Sequence, residues 1–388
     1  MGDRPSQRRP PHGVRPRRQR GVLRGRRVPR PRVPARARPP RRRPADRAPR
    51  RGHPQGGDAH APRAPARRRG GGGPGRARAW PGLAARRAAA LTVVAPPPER
   101  PRRLVYLGTP DVAVPPLRAL HDAGFEIPLV VSRADKRRGR GSGLSPSPVK
   151  ALATELGIPV TTDVDAALEV DAELGVVVAF GRIIKPHVLE RLPMVNLHFS
   201  LLPEWRGAAP VERAILAGDE RTGVCLMAVE EGLDTGGVYR REVVDIDPDE
   251  TLDELRGRLV DIGADVLVAA LGEGLGPPVP QEGEPTYAEK IRPEELEIDW
   301  TRPVRDVHAV VRLGGAWTTF RGRRLKVHRT ARVPDGPALA PGHIDGRHVG
   351  AGDGVLELVE VQPEGKARQA ASAWVNGARP TPDDRLGG

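Results

Sequence analysis

From residue 103 onward, apolar residues fall into short blocks whose period alternates between strand and helix. Residues 103–107 (RLVYL) are a continuous apolar run that ends in Gly108-Thr109-Pro110-Asp111, the pattern of a buried strand entering a turn. The spacing predicts a helix over 112–123, a second strand over 127–131, and a helix over 148–156 ended by Gly157. A third strand is expected over 174–179 (LGVVVA) and a fourth over 194–197. Strands that are apolar on both faces and alternate with helices predict a mostly parallel, Rossmann-like α/β sheet. No G-x-G-x-x-G follows the first strand, which argues against a dinucleotide.

Further along, 219–230 carries a strand (TGVCLMAVE), 231–237 a Gly-rich turn and 238–244 another strand. A single long helix is predicted over 251–271, followed by a Pro/Gly/Glu linker over 272–285. After Asp299-Trp300 the pattern changes. A short helix over 307–313 precedes β-like runs at 317–320, 325–328, 342–349 and 355–361. That spacing predicts a small OB-like antiparallel β-barrel. The expected organisation is an extension (1–100), an α/β catalytic domain (101–285), a linker (286–306) and a β-barrel domain (307–388).

Charge changes the reading of the first hundred residues. They hold 29 Arg, no Lys and four acids, a net of +25, whereas residues 101–388 hold 35 basic and 44 acidic groups, a net of −9. The first segment also carries 19 Pro, 13 Gly and a single aromatic, Trp80. Such a composition buries too little apolar surface to offset the entropy of ordering, so a disordered extension is expected. Two readings of it stay open: an arm that binds RNA phosphates without sequence preference, or a stretch of GC-rich composition preceding a start codon assigned too far upstream. One cysteine, Cys225, excludes a disulfide framework and a Cys-based zinc cluster. Cys225 lies mid-strand among apolar residues and reads as a small core residue. No run of 18 apolar residues is present, so no membrane span is expected; a cytoplasmic location and a monomer are the expectations.

The candidate chemistry sits in two short segments. Asn196 and His198 are two residues apart at the end of a predicted strand and so point to the same side. Ligands of open α/β sheets bind beyond the carboxyl ends of the strands. An amide donor and an imidazole there could hold a developing oxyanion and move a proton; equally, they could be a polar pair satisfying backbone at a strand end. The second segment, Gly232-Leu233-Asp234-Thr235-Gly236-Gly237, either presents Asp234 to a pocket or is an ordinary Asp-containing hairpin turn. Taken together, Asn196, His198 and Asp234 are the parts for acyl transfer to an amine without a covalent intermediate. Ser200 lacks a G-x-S-x-G frame, and no metal-ligand spacing is present.

The segments LGTPDVAVPPLRAL, RRGRGSGLSPSPVKALA, VVVAFGRIIKP, NLHFSLLPEWRGAAPVERAI, GLDTGG, and TYAEKI followed by IDW resemble the methionyl-tRNA formyltransferase family over about residues 102–385. The resemblance implies transfer of the formyl group of 10-formyltetrahydrofolate, a co-substrate, to the α-amino group of methionine on initiator tRNA. It implies that Asn196 and His198 stabilise the oxyanion and that Asp234 orients His198 and helps remove the amine proton. It further implies that folate lies against Val178, Ala179, Phe180 and Gly181 and against Ser200, Leu201, Leu202 and Pro203, held largely by backbone groups. RNA contact on a body of net −9 must come from local charge. One candidate is the loop Lys136-Arg137-Arg138-Gly139-Arg140-Gly141, in which Arg140 aligns with the family's loop arginine. The other is the set around Arg321, Arg323, Arg324, Lys326, His328, Arg329 and Arg332. Within that set, alternation puts Arg324, Lys326 and His328 on one face. Two other functions remain: a superfamily member acting on a small amine or hydrolysing the folate, and an RNA-binding module with a degenerate pocket.

Overall fold

Strand β1 (Arg103–Gly108) is buried along almost its whole length, and its side chains divide between two cores. Leu104 and Tyr106 face one apolar cluster, whereas Val105 and Leu107 face another, because successive side chains of a strand point to opposite faces. A strand apolar on both sides needs cover on both sides, and the helices provide it. The computed structural model describes residues 96–137 and 144–388.

Around β1 run β2 (Glu126–Val131), β3 (Val160–Thr161), β4 (Leu174–Val178), β5 (Met194–His198), β6 (Arg221–Ala228) and β7 (Val238–Asp245). Their spatial order is β7-β6-β5-β4-β1-β2-β3. Strands β1 to β5 pair in parallel, and β6 and β7 add antiparallel. From β1 the chain first builds outward through β2 and β3, then returns to lay β4 on the other edge of β1. The β1/β4 junction is therefore the switch point of the sheet, where open α/β folds bind ligands.

On one face lie α1 (Val114–Asp122), α2 (Pro148–Glu155), α4 (Pro210–Ala217) and α5 (Leu252–Glu273), with α3 (Pro186–Leu189) helping to cover the other. The helix predicted over 112–123 begins as a 3-10 turn, Asp111–Ala113, before α1. Thr251 caps α5 in a reciprocal arrangement with Glu254, which starts the helix where the sequence predicts; its other end runs on to Glu273, past the predicted 271. Helix α4 was not predicted, although Pro210 at its first turn and Gly218 at φ 75 after its end are the usual punctuation.

A second core centres on Ile298, Trp300, Val327, Leu356, Leu358 and Trp374. Helix α6 (Val304–Arg312) precedes strands β8 (Trp317–Phe320), β9 (Arg323–Val333), β10 (Ile344–Asp345), β11 (His348–Ala351) and β12 (Gly354–Pro363), in the order β8-β9-β12-β11-β10. All neighbours in this sheet are antiparallel. The C-terminal tail closes it: Leu386 bridges Phe320 of β8, and Arg385 bridges His343 beside β10. The result is the mostly parallel α/β sheet followed by a small antiparallel β-barrel. The predicted run 342–349 is two strands, broken at Gly346 with φ 56. Strands β9 and β12 extend beyond the predicted 325–328 and 355–361. Register shifts after Val327 and Arg329 interrupt the period of two and hide the length of β9 from a sequence reading. The closing helix α7 (Ala371–Ala378) was also not predicted. Of the expected disordered extension over 1–100, residues 1–95 lie outside the described residues, whereas Glu99 and Arg100 are hydrogen-bonded to the end of α5 and the residues after it, so the body begins just before residue 100.

Candidate active site

Asn196 and His198 flank buried Leu197 at the carboxyl end of β5, and both turn toward Asp234. That residue sits in the turn between β6 and β7 at φ 50, a left-handed conformation costing a non-glycine residue about 1–2 kcal/mol. The turn can fold so tightly because Gly236 approaches the backbone of Ala228: a Cβ there would lie 2.0 Å from the Ala228 carbonyl oxygen.

Asn196 Nδ2 donates to Asp234 Oδ1 at 3.3 Å, and the Gly207 N–H donates to Asp234 Oδ2 at 2.9 Å. His198, whose side chain is 6% exposed, places Nδ1 3.8 Å from Asp234 Oδ2. That is ion-pair distance but too long for a hydrogen bond. Its Nε2 is 3.0 Å from the carbonyl oxygen of Trp205. A carbonyl only accepts, so Nε2 carries the hydrogen and Nδ1 is the free lone pair of the neutral ring. Trp205 is itself left-handed, φ 58. It is pinned from both ends: its N–H donates to Thr286 Oγ1 at 2.8 Å, and its indole Nε1 donates to Asp219 Oδ2 at 2.7 Å. Burial pushes the Asp219 carboxyl up, with the Trp205 hydrogen bond opposing it.

The other sequence-predicted residues fall around this centre in two ways. Val178 ends β4 at the switch point. The strand predicted to reach 179 stops at 178, because Ala179 (φ 45) and Gly181 (φ 66) turn left-handed. Ala179 and Gly181 are exposed, while the side chain of Phe180 packs into the core below the sheet. Ser200 is buried and donates to the Glu204 carbonyl at 2.5 Å. Leu201 is half-buried, and Leu202 and Pro203 are buried and joined by a cis peptide bond. Leu202 packs with Cys225, Met227 and Val238 rather than offering an open apolar wall. In these two segments the side chains of Phe180, Ser200 and Leu202 are buried, and Ala179, Gly181 and, in part, Leu201 stay accessible. At the end of β1, Thr109 Oγ1 is buried without a hydrogen-bond partner among the described residues. Cys225 is fully buried, and burial pushes its thiol up. Among the described residues, no group of three or more His, Cys, Asp or Glu side chains is placed to hold a metal, and no helix is long and apolar enough to cross a membrane.

The basic loop is described only at its base. Strand Lys136–Arg137 pairs with Leu144–Ser145; Arg138 and Arg140 lie outside the described residues, and of Arg137 only the backbone is described. The base is tied to the core by Lys150, which donates to both oxygens of Asp135 at 2.9 and 2.8 Å, and by the buried Ser132–Ser147 hydroxyl pair at 2.6 Å. Arg133 Nη2 donates to the Gly181 carbonyl at 2.5 Å, joining the loop base to the segment after β4. On the barrel, Arg323, Arg324 and Lys326 are exposed, while Leu325 and Val327 point inward. The Arg324 guanidinium lies over the Trp317 ring, 4.2 Å from its centroid.

Three contributors escaped the sequence reading: the Trp205 carbonyl, the Gly207 N–H and Gln281, whose Nε2 donates to the Asp234 carbonyl. The first two are backbone groups that any residue possesses. Gln281 stands in a segment read as a spacer.

Family profiles match two parts of the chain, "Formyl transferase" over residues 102–271 and "Formyl transferase, C-terminal domain" over 290–379. The methionyl-tRNA formyltransferase of Symbiobacterium thermophilum is 43% identical over 300 residues, covering 71% of this chain and 92% of the relative. That of Roseobacter denitrificans is 43% identical over 295 residues, covering 71% and 96%. Among solved structures, an N-formyltransferase from Helicobacter canadensis, described in complex with folinic acid and dTDP-3-aminofucose, superposes with a TM-score of 0.51. Its identity is 16%, with 66% of this chain and 98% of that chain covered, a likeness of fold. Two profiles that run from β1 into α7, and relatives spanned almost end to end, establish that the chain belongs to the methionyl-tRNA formyltransferase family.

Proposed function

We propose that this chain transfers the formyl group of 10-formyltetrahydrofolate to the α-amino group of methionine esterified to initiator tRNA, in the cytoplasm. The convergence of Asn196, His198 and Asp234 beside the switch point of the sheet carries the reading. The neutral amine attacks the formyl carbon, and its carbonyl oxygen becomes an oxyanion. One hydrogen of Asn196 Nδ2 is spent on Asp234; the second is free to meet that oxyanion. His198 Nδ1, lacking a hydrogen bond, takes the proton shed by the attacking amine. The imidazolium so formed faces Asp234 and adds positive charge beside the oxyanion. Collapse of the tetrahedral carbon breaks its bond to N10 of the folate, which leaves with the proton returned by the His198 imidazolium, so that the ring is neutral again and the amide remains on the methionine. Folate is proposed to lie against the backbone of Val178 to Gly181 and of Ser200 to Pro203. The chemistry is assigned to residues 101–285. Docking of tRNA is assigned to 307–388, through Arg323, Arg324 and Lys326, and to the loop carrying Arg137, Arg138 and Arg140.

The test is formyl transfer from 10-formyltetrahydrofolate to charged initiator tRNA, charged elongator tRNA and a free small amine. The reading requires formyl-methionine on the initiator tRNA at a rate far above the other two. Equal formylation of a small amine would overturn it. The same assay on residues 98–388 is expected to give the rate of the full chain, because the first anchoring contacts of the body, Leu275 N–H to the Glu99 carbonyl at 3.0 Å and Arg100 Nε to the Glu273 carbonyl at 3.2 Å, are retained.

A further inference from the structure

The segment 272–285 has the composition of a spacer, yet it runs along the edge of the catalytic sheet. Val238 and Val279 exchange both backbone hydrogen bonds, at 2.7 and 2.9 Å. Continuing that antiparallel register by two residues sets Gln281 opposite Gly236, inside the turn that carries Asp234. The Gln281 side chain is fully committed there. Its Nε2 donates to the carbonyl of Asp234 at 2.9 Å and to that of Gly236 at 2.8 Å. Its Oε1 accepts from Arg206 Nε at 3.1 Å and Nη2 at 2.7 Å.

The same segment then crosses to the second catalytic loop. The Thr286 carbonyl accepts from the Arg206 N–H at 2.9 Å, Thr286 Oγ1 accepts from Trp205 N–H, and Tyr287–Ala288 pairs in parallel with Arg206–Gly207. One stretch of chain thus grips the turn that holds Asp234 and the loop whose carbonyl and N–H bond His198 and Asp234. Both loops need a grip, since Asp234 and Trp205 are left-handed and relax when nothing over-determines them.

We infer that Gln281 is a positioning residue for the formyl transfer: its amide holds the Asp234 turn against Arg206 and so keeps the carboxylate opposite His198. This rests on the assignment of Asn196, His198 and Asp234 as the reacting groups. Gln281 touches no reacting atom. Its removal acts on turnover through Asp234 and leaves the binding of both substrates alone.

Two variants separate this from a simple tether. Gln281→Ala removes all four bonds. Gln281→Glu keeps an acceptor for Arg206 but replaces the two donors with a carboxylate that repels the two carbonyls. Steady-state kinetics with 10-formyltetrahydrofolate and charged initiator tRNA are measured for both, with thermal midpoints as a check on folding. The expected result is a fall in kcat of about 10-fold or more for both variants, with each KM within about 2-fold and the midpoint of Gln281→Glu near that of the parent. In an Asp234→Asn background, Gln281→Glu is expected to cause no further loss, because groups that act as a unit are not additive.

A kcat for Gln281→Glu equal to the parent's, a change confined to the KM for tRNA, or a full additional loss in the Asp234→Asn background would each overturn the inference. If Asp234→Asn and His198→Ala themselves kept near-parent turnover, the assignment of the reacting groups would fail instead.

Discussion

Among the described residues, five non-glycine residues have positive φ, and three of them, Ala179, Trp205 and Asp234, surround the candidate active site. Each costs about 1–3 kcal/mol and persists only where neighbours hold it. What the strain obtains is direction. Ala179 ends β4 sharply at the switch point, Trp205 aims a carbonyl at His198, and Asp234 turns its carboxylate back toward β5. Replacing Asn196 or His198 with Ala is expected to lower kcat for formyl transfer by roughly 10²–10³, the usual loss when a preorganised oxyanion donor is removed. The tRNA KM and the thermal midpoint should stay near their parent values. Rapid-quench kinetics on the charged tRNA would read this, and near-parent turnover for His198→Ala would exclude it as proton acceptor. The pairing of Asn196 with His198 was legible in the sequence because two residues on one strand share a face whatever the fold. Asp234 was legible only as a candidate, since its distance to β5 is set by the sheet order.

At the scale of elements, β9 shows how a strand separates two jobs. Leu325 and Val327 fill the barrel core, while Arg324 and Lys326 stay on the exposed face and Arg324 stacks on Trp317 from β8. An arginine held over an indole keeps its charge exposed and loses little freedom when it meets a phosphate. Arg324→Ala should therefore raise the KM for tRNA and reduce the salt slope of its affinity by about 1, leaving kcat and the folate KM unchanged. A fluorescence titration with charged initiator tRNA at several salt concentrations measures this, and an unaltered slope would remove Arg324 from the tRNA surface. The exposed face was readable from alternation up to Val327. Beyond it the register shifts in β9 break the period, and the pairing with β12 decides which side faces out.

Across the whole molecule, the barrel grips the loop before α5. Arg312 Nε donates to the Glu250 carbonyl at 2.7 Å and its Nη2 to that of Asp247 at 3.0 Å. His308 stands between Thr330 Oγ1 at 2.8 Å and Asp249 Oδ1 at 3.0 Å, with Arg332 also on Asp249. Beside them opens a cavity of about 680 Å³ between α4, the 245–248 loop and α6. Burial pushes the His308 imidazole below its ordinary value of 6.5, the Asp249 carboxylate opposes this, and Arg312 and Arg332 reinforce it. The unfolded chain therefore binds a proton here at a pH where the folded chain does not, so stability rises with pH across that interval. The contribution is complete above 6.5 and is lost as pH falls toward the lower folded value. Thermal midpoints measured from pH 7.5 down to about 5.5 should decline, and His308→Gln should flatten that decline. An identical slope in the variant would remove His308 as its cause.

The sequence by itself determined the alternation of strands and helices, the change from an α/β pattern to a barrel pattern, and the placing of Asn196 and His198 on one face of a strand, with Asp234 a candidate beside them. Those features are written in side-chain type and local period, which survive without knowledge of the fold. The tertiary structure alone decided what orients them. Trp205 reaches His198 through a backbone carbonyl, Gly207 reaches Asp234 through a backbone N–H, and Gln281 reaches Asp234 from 47 residues away. A backbone group carries no signature of residue type, and a contact across that separation exists only once β7, the segment beside it and the loop after β5 have been brought to the same edge of the sheet.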